Sequence, residues 1–200
     1  DIFIAKFDAS GAHQWAKSIG GGSNDLGLAI DADLAGNVYT TGYFFSTVDF
    51  DPGAGSHFLS SFGNNDVFVS KIDALGNHIW AKNMGGTGND YGKGIVTDLN
   101  ENVFTTGNFQ GTADFEPGTE ITNLTSAGSF DAFTVKLGPC QKTVGNISVS
   151  ACLSYTSPSG NYTWTTSNIY MDTIANFSGC DSIVTIDLTI TTSTSSNIAD

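Results

Sequence analysis

The first 130 residues contain one 65-residue unit written twice. Asp1-Ile-Phe-Ile-Ala-Lys6 returns as Asp66-Val-Phe-Val-Ser-Lys71, and His13-Gln-Trp15-Ala-Lys17 returns as His78-Ile-Trp80-Ala-Lys82. A third copy begins at Asp131-Ala-Phe133-Thr-Val-Lys136 and is not continued. Units of this length stack in repeat proteins, because one unit cannot bury its own apolar faces without a neighbour. The sequence therefore predicts an array of similar units, with copies at residues 1–65 and 66–130 and a partial copy at 131–138.

Short alternating segments separated by turn residues indicate that each copy is built from β-strands. In the first segment Ile2 and Ile4 fall on one face of the strand, while Phe3 and Phe7 fall on the other. A strand that is apolar on both faces needs cover on both sides. We therefore expect Phe3 and Phe68, which hold the same position in the repeat, to have the same surroundings.

The charge balance excludes some classes of partner. The formal net charge is −13, and all seven basic residues are lysines. Without arginine the chain lacks the bidentate donor used for phosphate and guanine, and an acidic surface repels a nucleic-acid backbone. No apolar run approaches the roughly 18 residues of a membrane span. We expect a chain that binds no nucleic acid and has no membrane span, with carboxylates available to divalent cations.

The composition changes near Pro139, where Ser and Thr become frequent. Alternation over residues 139–190 predicts a small β-sandwich, and the polar tract at 191–200 predicts a linker. The three cysteines all lie in this part, at Cys140, Cys152 and Cys180. An odd number leaves at least one unpaired or paired outside this sequence. No close C-x-x-C spacing occurs, which favours a structural disulfide in an oxidising compartment over buried thiols, with Cys152 and Cys180 as the preferred pair.

Residues 1 to about 137 resemble the bacterial β-propeller repeats known as SBBP repeats. Both copies carry the ordered motifs of that family, although the second copy has Glu101 in place of Gly36 and Glu116 in place of Asp51. The motifs in the first copy are Asp1-x-Phe-x-x-Lys6, Asp8-x-x-Gly11-x-x-x-Trp15, Gly20-Gly-x-x-x-Asp25, Asp33-x-x-Gly36-Asn37 and Asp49-Phe-Asp-Pro-Gly53. The resemblance implies an all-β fold of antiparallel propeller-type blades.

Blades of this family imply a definite strand order. Residues 25–33 would form the innermost strand, followed outward by 37–44, 66–73 and 78–83. By that count the chain holds one complete blade, the outer half of the preceding blade and three strands of the next. Such a set cannot close a ring, since propellers have at least about four blades. Further repeats of the same or a neighbouring chain are the expected partners.

The segment that follows Cys152 is similar to short Ig-like repeats of very large secreted or cell-surface bacterial proteins. This resemblance implies an Ig-like sandwich, a location at the bacterial cell surface, and a structural or adhesive role without a known reaction. We therefore expect a non-enzymatic scaffold with possible protein or glycan partners at the surface. The alternative is a carbohydrate-binding or carbohydrate-processing module.

The best ligand-like constellation is a repeated acidic turn formed by Asp49, Asp51, Asp114 and Glu116. Two carboxylates in a turn held by Pro and Gly can bind Ca²⁺ with backbone carbonyls as additional ligands. The alternative is that the first Asp caps its turn and the second is solvated. A glycosidase pair is disfavoured, because a catalytic pair is needed once per site, whereas these carboxylates recur in each copy.

A short motif occurs twice in the second part of the chain. Asp172-Thr173-Ile174 and Asp181-Ser182-Ile183 match a short bacterial O-glycosylation signal, which would place glycans on Thr173 and Ser182.

The tryptophans have aromatic rings that could stack on sugars. Packing inside the fold is the favoured use of these rings, which are Trp15, Trp80 and Trp164.

Overall fold

The computed structural model describes residues 1–118, 120–139, 144–175 and 181–191, and these ranges contain β-strands and no helix. None of the described residues therefore belongs to a helix that is long and apolar enough to cross a membrane. The chain divides into two compact units, Asp1–Pro139 and the part from residue 140 onward. Each unit is described by itself.

The first unit contains thirteen strands in its described residues, connected mostly by tight turns. They are β1 (Ile2–Phe7), β2 (His13–Ile19), β3 (Leu26–Ala32), β4 (Val38–Phe44), β5 (Thr47–Asp49), β6 (Phe58–Ser60), β7 (Asp66–Ile72), β8 (His78–Gly86), β9 (Tyr91–Thr97), β10 (Val103–Phe109), β11 (Thr112–Asp114), β12 (Asn123–Thr125) and β13 (Asp131–Leu137).

The main strands form three antiparallel sheets that repeat one pattern. β3, β4, β7 and β8 lie side by side in that order, and we call them blade 2. β1 and β2 form a separate pair, blade 1, while β9, β10 and β13 form blade 3. The predicted strand order is confirmed, as is the predicted division into one four-stranded blade with two strands before it and three after it.

A short hairpin links each blade to the one before it. β5 and β6 pair with each other, and Asp49 forms a bridge with Gly20 at the end of β2. In the second copy β11 pairs with β12 and also with the end of β8. Each hairpin therefore hydrogen-bonds to the outermost strand of the preceding blade, which ties adjacent blades together.

Close backbone approach explains a glycine that recurs in the second strand of a blade. A Cβ on Gly42 would overlap the carbonyl oxygen of Leu26, and a Cβ on Gly107 would overlap that of Tyr91. Both contacts lie where the register between the first and second strands shifts at a bulge. Glycine is needed there because only a residue without a side chain lets the two backbones meet.

The apolar core of the first unit lies between blades. At the junction of blades 1 and 2, Phe50 from the hairpin segment packs 5.3 Å from Phe44 and 5.1 Å from Phe68, measured between ring centroids. Ile2 and Ile4 of β1 complete this cluster from the other side. Both faces of β7 are buried, so the junction depends on two neighbours and not on one blade alone.

The junction of blades 2 and 3 repeats this packing. Phe115 lies 5.1 Å from Phe109 and 4.8 Å from Phe133, which are the equivalents of Phe44 and Phe68. The interplanar angles, 83° and 40°, are also close to the 86° and 48° of the first junction. The duplicated sequence therefore builds the same aromatic junction twice.

The expectation that Phe3 and Phe68 share their surroundings is wrong. Phe3 is 81% exposed, whereas Phe68 is 0% and Phe133 is 5% exposed. The two buried rings pack against a phenylalanine from the hairpin segment of the preceding copy, and no such segment faces Phe3 in the described residues. The position is covered wherever the inner strands and hairpin of its blade are present, and bare where blade 1 has only β1 and β2.

The second unit contains β14 (Val144–Cys152), β15 (Tyr155–Thr156), β16 (Thr163–Trp164), β17 (Asn168–Ala175) and β18 (Asp181–Thr191). β18 lies between β14, to which it is parallel, and β17, to which it is antiparallel. β15 and β16 form a separate hairpin. The described strands form one three-stranded sheet and one hairpin, which do not confirm the predicted Ig-like sandwich. The sequence did not predict the parallel pair, because alternation does not encode strand direction. Of the linker predicted at 191–200, Thr191 ends β18, and residues 192–200 lie outside the described residues.

Candidate functional site

The repeated acidic turn is held together by its own carboxylates. Asp49 Oδ1 accepts hydrogen bonds from the backbone N–H of Asp51 at 3.0 Å and of His57 at 2.8 Å. Asp51 Oδ1 accepts one from the N–H of Gly53 at 2.7 Å. These bonds close the loop between β5 and β6, as an aspartate that caps a turn is expected to do.

The second copy uses equivalent bonds. Asp114 Oδ1 accepts from the N–H of Glu116 at 3.0 Å and of Thr122 at 2.8 Å, and Glu116 Oε1 accepts from the N–H of Gly118 at 3.2 Å. Within the described ranges no cluster of three or more His, Cys, Asp or Glu side chains is placed to hold a metal ion. Calcium binding by this turn stays a prediction.

A second set of aspartates closes four-residue turns between strands, three of them Asp-x-x-Gly and one Asp-x-x-Glu. Asp8 Oδ1 accepts from the N–H of Ser10 and of Ala12, both at 2.9 Å. The hydroxyl of Ser10 and the N–H of Ala12 hold the pKa of the Asp8 carboxyl below its usual range. The equivalent bonds recur at Asp33, Asp73 and Asp98. These carboxylates are structural acceptors in ordinary surface turns.

Lys71 is a buried cation that sequence analysis did not single out. It is 7% exposed, and its Nζ lies 3.1 Å from Glu101 Oε2 and 3.9 Å from Asp33 Oδ2. The same ammonium lies 5.0 Å from the centroid of the Tyr39 ring, whose hydroxyl donates to Asp33 Oδ2 at 3.1 Å. Burial, followed by the hydrogen bond to Asp33, raises the pKa of Tyr39. This cluster links blade 2 to the turn of blade 3.

Two carboxyl groups are buried side by side at the junction of blades 2 and 3. Asp66 and Asp90 are both 0% exposed, and a Cβ on Gly85 would lie 2.6 Å from Asp66 Cγ and 2.9 Å from Asp90 Oδ2. Asp90 accepts one backbone N–H on each oxygen, from Gly86 at 2.8 Å and from Gln110 at 3.0 Å. Both carboxyls therefore converge on the same glycine.

The two carboxyls differ in the number of hydrogen bonds that they accept. Asp66 Oδ2 accepts from the N–H of Phe62 at 2.8 Å, but its Oδ1 has no hydrogen-bond partner. Burial raises the pKa of Asp66 to about 7, with a further contribution from the charge of Asp90. Burial also raises the pKa of Asp90. The sequence shows Asp66 only as a landmark of the repeat and gives no sign of the pair with Asp90, because burial of a carboxylate leaves no local pattern.

The tryptophans take part in packing. Trp15 is half-buried and its Nε1 donates to the carbonyl oxygen of Ala74 at 3.1 Å, while Trp80 is only 5% exposed. In the second unit Trp164 stacks on Tyr170, with ring centroids 4.3 Å apart and an interplanar angle of 5°. The ring of Trp80 therefore presents no open face to a sugar.

The remaining predicted positions lie in the second unit. Cys152 is exposed, and its Sγ lies 3.6 Å from the hydroxyl oxygen of Thr191. Cys140 and Cys180 lie outside the described residues, so the disulfide stays a prediction. Thr173 is exposed, as a glycosylated residue must be, whereas Ser182 is 5% exposed. Glycosylation therefore stays a prediction. The burial of Ser182 disfavours it at that residue.

Comparison with known proteins agrees with this architecture. A family model described as an SBBP β-propeller repeat matches residues 79–115, which run from β8 through β9 and β10 to the hairpin of the second copy. The repeated sheets and their aromatic junctions agree with this match, so this part of the chain is similar to a β-propeller repeat.

A relative in a virus shares part of the chain. Over 113 residues, or 50% of this chain, the sequence is 26% identical to an uncharacterized WD repeat-containing protein of Acanthamoeba polyphaga mimivirus. The chain spans 8% of the length of that protein. The chain is thus similar both to SBBP repeats and to part of a WD repeat-containing protein.

Proposed function

We infer that this chain is a non-enzymatic scaffold segment of a large secreted or cell-surface bacterial repeat protein, with a structural or adhesive role and with further copies of the repeat as its first partners. The observation that carries the proposal is the bare face of β1. Phe3 and Phe7 are 81% and 58% exposed, whereas Phe68 and Ile72 at the equivalent positions are 0% and 1% exposed. An apolar face of this kind marks an interaction site.

The backbone of β1 supports the same proposal. In blade 2, β7 is paired on both sides, with β4 and with β8. In the described residues its equivalent β1 is paired with β2 alone. An unpaired edge presents free N–H and C=O groups to another strand. The combination of an open edge with an apolar face fits the inner strands and the hairpin of a further copy.

The surface chemistry is consistent with a role outside the cell. The net charge of −13 keeps an exported chain soluble and repels nucleic acids. The carboxylates of the repeated acidic turn and of the turns that begin at Asp8 and its equivalents accept backbone N–H groups, which supports a structural role for them. Propeller and WD-type repeats serve as rigid platforms for protein interactions, because a preformed surface loses little entropy on binding.

Sedimentation velocity tests the proposal through the state of assembly. The wild-type chain is expected to form head-to-tail oligomers as its concentration rises, since the open face of blade 1 is not self-complementary. Phe3→Ser should shift the chain toward monomer because it removes the largest exposed ring of that face. Phe62→Ser is the control, since Phe62 is 60% exposed but lies outside β1. A wild-type chain that stays monomeric at every concentration would contradict the proposal.

A specific observation favours carbohydrate binding as a second candidate. A cavity of about 470 Å³ opens where the loops between blades meet, and amide side chains dominate its lining. Amides and an aromatic ring are groups that suit the hydroxyls and apolar faces of a neutral sugar. The cavity is lined by the amides of Asn24, Asn64, Asn65 and Asn89 and by the ring of Phe45. The scaffold proposal is preferred, because the structure shows what covers an equivalent face: β4 and the hairpin segment cover β7 in blade 2.

A further inference from the structure

Two leucines at equivalent positions of the repeat project into solvent. Leu34 is 93% exposed and Leu99 is 87% exposed. Each is the second residue of the turn that joins the first and second strands of its blade. Single exposed leucines are ordinary in proteins, but two that recur side by side in adjacent blades form a patch.

The turn itself does not require leucine. Two other turns of the same type carry Ala9 and Ala74 at this position, and they close with the same backbone hydrogen bond as the turns of Leu34 and Leu99. The second position of such a turn accepts most residue types. Neither the turn geometry nor burial therefore explains the two leucines.

A cavity of about 290 Å³ lies between the two turns, and both leucines line it. The cavity is also lined by Ala32, Ala35 and Thr97. This volume is at or below the lower end of the range for pockets that enclose a drug-sized ligand. It suits one or two apolar side chains of a polypeptide segment.

Glu101 is the accessible acidic side chain that lines the cavity. It is 56% exposed, and its Oε2 pairs with Lys71 at 3.1 Å. The Asp33 side chain is only 9% exposed, and the carboxylates of Asp33 and Asp98 accept hydrogen bonds within their own turns. The chain as a whole carries a net charge of −13, which favours a cationic partner over an anionic one.

Glu101 stands where the first copy has glycine. Glu101 has a φ of 61°, and the equivalent residue of the first copy is Gly36 with a φ of 81°. This left-handed conformation favours glycine, so a glutamate here is strained. The Glu101 side chain pairs with the buried Lys71 at 3.1 Å and leaves an exposed carboxylate beside the cavity.

We propose that the turns of Leu34 and Leu99 and the cavity between them bind a segment of a partner protein in which apolar side chains alternate with lysine or arginine. The apolar side chains enter the cavity and contact the two leucines. A cationic group binds the exposed Glu101 carboxylate beside the cavity. The inference rests on the proposed scaffold function and names a second surface, distinct from the face of β1.

Isothermal titration with a synthetic peptide tests this surface. The probe is a short glycine-serine peptide that carries leucines and lysines, and the matched peptide has glutamate in place of lysine. The wild-type chain is expected to bind the lysine peptide, and more weakly at high salt. The double variant Leu34→Ala, Leu99→Ala should weaken binding about tenfold or more. Alanine stands at this position in two native turns, so the fold is expected to persist.

Two control variants sharpen the result. Leu75→Ala removes a leucine that is 73% exposed in another turn and lies outside the cavity, so it should leave binding unchanged. Glu101→Gly restores the residue of the first copy and should weaken binding several-fold, with a smaller dependence on salt. Equal binding of the glutamate peptide, or full binding by the double variant, would overturn the inference.

The titration is repeated in the Phe3→Ser background to separate the two proposals. Binding of the lysine peptide should be the same there, because Phe3 lies on another face. Peptide binding that depends on Leu34 and Leu99 supports this inference even if sedimentation shows no assembly. Binding that disappears with Phe3→Ser would show that the peptide occupies the face of β1, and the inference would fail.

Discussion

Replacement of Phe68 by alanine is expected to lower the free energy of unfolding by about 3–5 kcal/mol, the cost of removing a fully buried aromatic side chain. Phe68 is 0% exposed and lies 5.1 Å from Phe50 in the junction of blades 1 and 2. Deletion of its ring leaves a cavity between two blades that cannot collapse without moving the hairpin. Urea unfolding followed by circular dichroism measures the effect.

The matched control is the same replacement at Phe3. The residue occupies the same position of the repeat but is 81% exposed, so Phe3→Ala should change the stability of the monomeric chain by no more than about 0.5 kcal/mol. Phe133→Ala should behave like Phe68→Ala, because Phe133 is 5% exposed and packs on Phe115. Equal losses for Phe3→Ala and Phe68→Ala would mean that Phe3 is covered in the monomer.

Asp66 is expected to make stability fall as the pH rises. Its pKa in the folded protein is about 7, above the ordinary value of 3.8. The folded state therefore holds this proton more tightly than the unfolded state does. The stabilisation is fully present below about pH 4, declines as the pH rises through 7, and is absent at higher pH. Each pH unit within this window changes the contribution of this group by about 1.4 kcal/mol at most.

Asp66→Asn should remove this dependence. The amide is neutral at every pH, and it can donate to the carboxylate of Asp90 as a protonated Asp66 would. At about pH 8 the variant should be more stable than the wild type by about 2–4 kcal/mol, and near pH 4 the two should be nearly equal. Urea unfolding of both chains at several pH values gives the difference directly. A difference that does not change with pH would contradict the proposed proton on Asp66.

Asp73→Asn is the matched control for the opposite behaviour. Burial alone would raise the pKa of Asp73, but hydrogen bonds from Asn77 lower it overall. Its carboxylate therefore stabilises the fold above the ordinary pKa, and this contribution is lost as the pH falls. The asparagine variant should be less stable than the wild type at neutral pH, and the gap should narrow in acid.

The repeat made the strand order of the first unit predictable. A fixed offset aligns Trp15 with Trp80 and Phe50 with Phe115, so one set of strands and junctions describes both copies. The missing cover of Phe3 was not predictable from its own strand, because burial depends on segments that are distant in sequence. The sequence of the strand shows two apolar faces, but whether both are buried depends on the neighbouring segments.

The acidic residues show why the chemistry was harder to predict than the fold. Asp49 and Asp66 are both aspartates in repeated motifs, yet one accepts two backbone N–H groups in a turn and the other is buried beside Asp90. A sequence motif records the residue type and spacing. It does not record the burial that raises a pKa or the backbone donors that stabilise a charge.

The second unit illustrates another limit. Alternation correctly indicated strands over β14 and β18, and Val184, Ile186 and Leu188 form the apolar face that it predicts. The parallel pairing of β14 with β18 was not predictable, because periodicity gives the face of a side chain and not the direction of its neighbour. The disulfide between Cys152 and Cys180 stays a prediction, because Cys180 lies outside the described residues.

Amide hydrogen exchange of the monomeric chain tests the central claim most directly. The claim is that β1 and β7 are the same strand of the repeat, and that β1 lacks the inner strands which cover β7. The account predicts that the most protected amides of β7 exchange at least about 100-fold more slowly than their equivalents in β1, because β7 is paired on both edges and buried on both faces. Equal protection of the two strands in a chain shown to be monomeric would contradict it.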